Sequence, residues 1–208
     1  IDAHDVQEAI EEVFAAIPVV ATAPYLNVTD YGAVGDGATD DAASIQAALD
    51  AAAASTSIKR VYVPNTANGF AIGATLTIDE GVTLFGDNLW GQERSRIKPT
   101  PGFTAPLLTT EDYGVARQLR VGVSGNFFDG SSTTLTAVAL NIQESMISDC
   151  TIKNCFTYGI HFGGISSGAT EQALNNHIID NYIAGQIGVT EFFDGIFIDY
   201  FSADNTVE

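Results

Sequence analysis

Ile147-Ser148-Asp149-Cys150-Thr151-Ile152 and Ile178-Ile179-Asp180-Asn181-Tyr182-Ile183 are two versions of one block, set 31 residues apart (147 to 178). A second block, Tyr158-Gly159-Ile160-His161-Phe162, returns 36 residues later (158 to 194) as Asp194-Gly195-Ile196-Phe197-Ile198. The order of the two blocks is kept and only the loop between them grows. A supersecondary unit repeated with variable loops on one side is the mark of a solenoid, in which each coil buries its apolar side chains against its neighbours. Thr136-Ala137-Val138-Ala139-Leu140-Asn141-Ile142 reads as an earlier copy of the second block.

Toward the N-terminus, short strands are predicted at Leu26-Asn27-Val28, Val61-Tyr62-Val63, Thr75-Leu76-Thr77-Ile78, Val82-Thr83-Leu84-Phe85 and around Ile97. Turn residues such as Pro64-Asn65, Glu80-Gly81, Gly86-Asp87-Asn88 and Pro101-Gly102 separate them. One helix is predicted over about 40–54, after the Gly-rich turn Tyr31–Gly37. Thr39 serves as its N-cap, Asp40 and Asp41 sit at the positive end of the helix dipole, and Ile45, Ala48, Leu49 and Ala52 form one apolar stripe. Such a helix is shaped to cap the open end of a stacked sheet.

Before the first strand, Val6, Ile10, Val13 and Ile17 recur at spacings of four, three and four, which is an a/d seam. A helix this short is not stable alone, so the seam calls for partner helices, most simply copies of itself; the alternative is an amphipathic helix packed on its own domain. Pro18 to Pro24 then acts as an extended linker. The domain reading is residues 1–24 as oligomerising helix and linker, and residues 25–208 as the N-terminal portion of a parallel β-solenoid. The absence of an initial Met, and a pattern that breaks off within Ala203–Glu208, lead to the expectation of a piece of a longer chain.

The net charge of −18 excludes duplex nucleic acid as a partner, because phosphate binding needs basic clusters. No stretch approaches the ~20 apolar residues that span a bilayer, so no membrane insertion is expected. After Arg120 the chain carries ten acids and one base, Lys153. That surface repels polyanions unless cations intervene. Cys150 and Cys155, with no His cluster nearby, read as small apolar fillers in a core.

Asn27-Val28-Thr29-Asp30-Tyr31-Gly32-Ala33-Val34-Gly35-Asp36-Gly37-Ala38-Thr39-Asp40-Asp41, with Ser44-Ile45-Gln46-Ala47-Ala48-Leu49, resembles the opening of the pectate-lyase-like β-helix superfamily. Val61-Tyr62-Val63-Pro64 and Val82-Thr83-Leu84-Phe85-Gly86-Asp87 continue it in the usual order, and the likeness runs from Leu26 to the end. It implies an all-β, right-handed parallel β-helix with an N-terminal capping helix. Activity is left open, since the superfamily holds lyases, glycosidases, epimerases, viral tailspikes and inactive binding proteins.

Val6-Gln7-Glu8-Ala9-Ile10 is similar to the trimerising helices that precede β-helix or fibre domains in tail proteins of tailed viruses, which implies a homotrimer through Val6, Ile10, Val13 and Ile17. The combined layout implies a tailspike in the virion tail, extracellular. It would join other tail proteins through its N-terminus and recognise a host surface polysaccharide or glycoprotein glycan, with or without cutting it. A secreted polysaccharide lyase or glycoside hydrolase, and a purely structural shaft, are the alternatives. No cofactor is implied; so acidic a surface leaves calcium open, yet no loop has the ligand spacing of a calcium site. The mannuronan epimerases begin in the same way and carry Tyr-Gly-Phe-Asp-Pro-His on a strand. Tyr158-Gly159-Ile160-His161-Phe162-Gly163 keeps the Tyr, but His161 stands where the acid belongs and Gly163 replaces the His. The resemblance therefore carries no epimerase reaction onto this strand, and the arginine base of the lyases has no counterpart after Arg120.

Alternate side chains of a strand face opposite ways. With Ile160, Phe162, Ile196 and Ile198 inward, the outward column is Ala139, Asn141, His161, Phe197 and Asp199, with Tyr158 and Asp194 at the start of the strand. Tyr158, His161, Phe197 and Asp199 are the candidate sugar-binding residues, rings for the apolar sugar face and polar groups for its hydroxyls. Phe197 covered by a loop or a neighbouring subunit is the plainer alternative. Candidate catalytic groups are Asp194, Asp199, Glu191 and His161. Asp194 and Asp199 lie about 16 Å apart on one strand at ~3.3 Å per residue. Glycosidic hydrolysis needs two carboxyls at roughly 5–9.5 Å. A working pair would need Glu191, Glu144, a later coil or another chain. Asp149, Asp180, Asn154, Asn181 and Asn205 read as turn residues.

Overall fold

A computed structural model describes residues 24–88, 93–111, 118–131, 136–162, 173–184, 194–198, 202–203 and 206–208. Three parallel sheets form its long walls. The first wall has seven strands: Leu26–Asn27, Arg60–Val63, Thr83–Gly86, Gly122–Ser124, Met146–Ser148, His177–Ile179 and Thr206–Val207. The second has six: Asp36–Asp40, Gly69–Ile72, Arg96–Pro99, Phe127–Asp129, Thr151–Lys153 and Tyr182–Ala184. The third has five: Leu76–Ile78, Leu108–Thr110, Thr136–Leu140, Tyr158–Phe162 and Asp194–Ile198. A short fourth side pairs Gln118–Leu119 with Ile142–Gln143, and Ala173–Leu174 with Ser202–Ala203.

The repeats are vertical neighbours. Ile147 pairs with Ile178, Ile152 with Ile183, and His161 with Phe197, all in parallel register. Thr136–Leu140 sits one coil below Tyr158–Phe162, with Val138 against Ile160. Inward columns fill the centre: Val61, Leu84, Val123, Ile147 and Ile178 from the first wall, Phe70, Ile97, Phe128 and Ile152 from the second, Leu76, Leu108, Val138 and Ile160 from the third. Each is at most 1% exposed. Burying each such side chain contributes about 1.5–3 kcal/mol.

The chain turns between walls on left-handed residues. Gly125, Asp149 and Asp180 (φ +59°, +55°, +54°) make the corner from the first wall to the second. Asn126, Cys150 and Asn181 follow them and stack inside that corner. Asn181 accepts from the Cys150 N–H at 3.0 Å and donates to the Ile147 carbonyl at 2.9 Å. Arg120, Glu144 and Asn175 (φ +58°, +53°, +53°) make the corner into the first wall. Behind them, Asn176 accepts from Ser145 N–H at 3.1 Å and donates to Ile142 at 2.8 Å. These amides satisfy backbone groups that a corner takes out of the sheet ladders. Asp149, Asp180 and Asn154 (φ +58°) are thus turn residues, and Cys150 and Cys155 are buried free thiols.

The helix spans Ala42–Ala54 and buries Ile45, Ala48, Leu49 and Ala52 against the core of the first coil. Thr39 is not its N-cap. It belongs to the strand Asp36–Asp40, where its hydroxyl donates to Asp36 at 2.8 Å. Asp41 holds the cap position, yet its carboxylate accepts from Val34 and Gly35 N–H at 2.7 and 3.1 Å and so ties down the Gly-rich loop instead. The strands Asp36–Asp40 and Gly69–Ile72 pair with each other and were not legible as strands, because glycines and carboxylates mask the alternation. Ile198, expected inward, is 41% exposed: it lies on the edge strand of the third wall, where no described strand covers it. The seam Val6, Ile10, Val13 and Ile17 lies outside the described residues. No described helix is long and apolar enough to cross a membrane.

Candidate functional site

The outward column of the third wall runs Thr77, Thr109, Ala139, His161, Phe197 in register. Its early positions are small, and the column ends in rings. His161 and Phe197 lie with centroids 5.2 Å apart, inclined at 55°. Tyr158 stacks on Phe197 at 4.7 Å and 19°, and meets His161 at 5.1 Å. All three are half-buried, with ring surface both packed and reachable.

Strict alternation would send Tyr158 inward, with Ile160 and Phe162. Gly159 resolves this. It is buried, and a Cβ built on it would lie 2.6 Å from Ile183 Cγ2 and 3.4 Å from Ile152 Cγ2, so its bare face is turned to the core. Gly159 and Ile160 are then two successive inward residues, which leaves Tyr158 on the outer face with His161. Only glycine allows Ile183 and the Gly195 carbonyl, 2.7 Å from that Cβ position, to come so close. The repeated Gly of the second block therefore aims the tyrosine.

The other expected members of the column fare differently. Ala139 is in register with His161 but only 2% exposed. Asn141 is a correction: it is fully buried, not outward. The strand ends at Leu140, and Asn141 lies at the corner to the short side, where its N–H donates to Thr110 Oγ1 at 3.1 Å and its carbonyl accepts from Gln118. Asp194 pairs by backbone with Tyr158. Asp199 and Glu191 lie outside the described residues. Glu144 sits at the corner into the first wall beside Arg120 at 3.4 Å, away from the rings. Among the described residues the rings are thus joined by His161 and by no assembled pair of carboxylates.

Two groupings escaped the sequence reading. On the first wall Tyr62 packs against Tyr25 (5.1 Å) and Phe85 (5.2 Å), with the Arg60 guanidinium 4.3 Å above Phe85. The Tyr62 hydroxyl donates to Asp87. Burial, then the Asp87 carboxylate, push that phenol up to about 12. On the second wall Arg96 pairs with the buried Asp129, which also accepts from Asn154 and Ser131 N–H at 2.8 and 2.9 Å. Lys153 reaches Glu93 at 2.7 Å and lies 5.3 Å from the Tyr182 ring. The alternation Arg96-Ile97-Lys98, bases flanking a core residue, was the available signal for a basic outer face.

Comparison with known proteins agrees with this architecture. Over 118 residues the chain is 32% identical to the tail spike protein of Shigella phage Sf6, covering 54% of this chain and 18% of that one. Over 117 residues it is 33% identical to mannuronan C5-epimerase AlgE3 of Azotobacter vinelandii, covering 53% and 6%. The chain therefore spans under a fifth of either curated relative. ORF18 of Geobacillus virus E2 superposes with a TM-score of 0.62 at 18% identity, over 97% of this chain and 42% of that one, a likeness of fold. Residues 25–190 match the model of rhamnogalacturonase A/epimerase, pectate lyase-like proteins, and the chain belongs to that family.

Proposed function

We propose that this chain is part of a phage tailspike that recognises a host surface glycan on the outer face of its third wall. The carrying observation is the ring group Tyr158–Phe197–His161, drawn from successive coils onto one face. Stacked rings beside an imidazole accept the apolar face of a pyranose while leaving polar atoms for its hydroxyls. Asp199, next but one after Phe197, adds an acceptor in this reading. The 32% identity to a tail spike protein supports the virion setting. The helix Ala42–Ala54 closes the N-terminal end of a right-handed solenoid, the hand that parallel crossovers nearly always take. Val6, Ile10, Val13 and Ile17 hold three copies together, and the N-terminal segment meets other tail proteins.

The 33% identity to a mannuronan epimerase favours a second reading, a polysaccharide-modifying enzyme. Against it, His161 occupies the position of the acid in that motif. The test is titration of the full chain with host surface polysaccharide, followed by assays for new reducing ends and ultraviolet-absorbing unsaturated sugars. Tyr158→Ala and Phe197→Ala are each expected to weaken binding about 2- to 10-fold, from ~0.5–1.5 kcal/mol per aromatic contact. Unchanged affinity in both variants overturns the site. Released sugars that vanish in His161→Ala would favour the enzymatic reading.

A further inference from the structure

A cleft of about 470 Å3 opens on the second wall, among Gly37, Ala71, Lys98, Thr100, Pro101 and Ser131. Its size falls in the ~300–1,000 Å3 range of small-molecule sites. We propose that this cleft is a second glycan site, one that takes a sugar residue bearing a carboxylate, with Lys98 as its ionic partner.

Three observations converge on Lys98. First, of the bases on the outer face of this wall, Arg96 is engaged by Asp129 and Lys153 by Glu93, whereas Lys98 makes neither an ion pair nor a hydrogen bond with any described residue. Second, the carboxylates of the adjoining loop are held by N–H groups. Asp36 accepts from Ala38 and Thr39 at 2.8 and 2.7 Å, Asp40 from Ala42 and Gly73 at 3.1 and 2.9 Å, and Asp41 from Val34 and Gly35. They brace the loop, and the ammonium is left for a ligand. Third, Gly37 lies at φ +75°, and a Cβ there would stand 2.9 Å from Lys98 Nζ and 2.7 Å from the Asn68 carbonyl. The backbone thus forms the wall against which the ammonium rests, and any side chain at Gly37 would evict it.

The rest of the lining suits a sugar better than a bare anion. Ala71 and Pro101 bring apolar surface to the lining for a pyranose face, and Thr100 and Ser131 bring hydroxyl-bearing side chains to it. In a chain of net charge −18, an acidic sugar needs a local cation to overcome the surrounding field. A carboxylate on a partly enclosed ammonium forms a charge-assisted hydrogen bond, stronger than a neutral one. The site lies on a different wall from Tyr158, so neither depends on the other.

The test is calorimetric titration of the full chain with digalacturonate, its neutral counterpart digalactose, and inorganic phosphate. Digalacturonate is expected to bind, more weakly at high salt, and digalactose at least about tenfold less well, the loss expected when a hydrogen bond to a charged group is missing. Lys98→Met, which keeps the aliphatic stem, should lose that same factor, Lys98→Arg should retain binding, and Tyr158→Ala should leave it unchanged. Circular dichroism of each variant shows that it is folded. Equal affinity for the neutral sugar, an unaffected Lys98→Met protein, or displacement by an equal concentration of phosphate each overturns the proposal. Loss of digalacturonate binding in Tyr158→Ala alone would assign the sugar to the third wall instead.

Discussion

Gly159→Ala and Gly195→Ala make the same change at equivalent positions of successive coils, yet should behave differently. At Gly159 the added methyl would stand 2.6 Å from Ile183 Cγ2 and 2.7 Å from the Gly195 carbonyl oxygen. The oxygen belongs to the paired strand Asp194–Ile198 and cannot yield without breaking the ladder. At Gly195 the nearest atom is again Ile183 Cγ2, but at 3.7 Å, an ordinary contact. Overpacking of a close-packed interior costs typically ~1–3 kcal/mol, so Gly159→Ala should be destabilised by about that amount. At ~2–4 °C per kcal/mol for a chain of this size, its melting temperature should fall roughly 2–12 °C. Gly195→Ala should stay within ~0.5 kcal/mol of the parent, as substitutions without a clash do. Thermal unfolding followed by circular dichroism in one buffer gives both values. The Gly159 variant should also bind glycan less well, since the glycine turns Tyr158 outward. Equal melting of the two variants would refute the account of Gly159 as a forced close approach.

Two further expectations concern the corners and the thiols. Asn181→Ala strips the Cys150 N–H of its acceptor and the Ile147 carbonyl of a donor, and should cost about 1–3 kcal/mol in urea unfolding, the penalty of buried unsatisfied groups. Asn181→Asp keeps the acceptor for Cys150 N–H but sets a carboxylate oxygen against the Ile147 carbonyl, so it should lose at least as much; parent-like stability in either variant would refute the ladder. Burial pushes the Cys150 and Cys155 thiols up to about 12 from 9.0, so both stay protonated in the folded chain. Their contribution is fully present below pH 9 and is lost as pH rises toward 12, where the unfolded chain alone has ionised. A urea midpoint that rose across that window in the parent but not in a Cys150→Ala, Cys155→Ala protein would contradict it, as would rapid alkylation of the native thiols at pH 8.

The amino-acid order by itself determined the solenoid. Apolar residues returning at 31 and 36 positions name the coils, and alternation within a strand names the core face; Ile147 over Ile178 and His161 over Phe197 follow from those alone. The helical stripe Ile45, Ala48, Leu49, Ala52 is equally local and equally legible. What only the tertiary structure decided lies where local rules stop. Tyr158 faces outward because Gly159 and Ile160 both turn inward against Ile183, 24 residues on (159 to 183). Asn141 is buried because its strand ends one residue earlier, at Leu140. Asp41 braces a loop instead of capping its helix, and Lys98 has no ion-pair partner among the described residues, whereas Arg96 and Lys153 are paired with Asp129 and Glu93. Asp41 is decided by Val34 and Gly35 of its own loop, and the other three share one physical reason. Alternation fixes direction only inside a strand, whereas corners and outer faces are settled by atoms that stacking brings from distant parts of the chain.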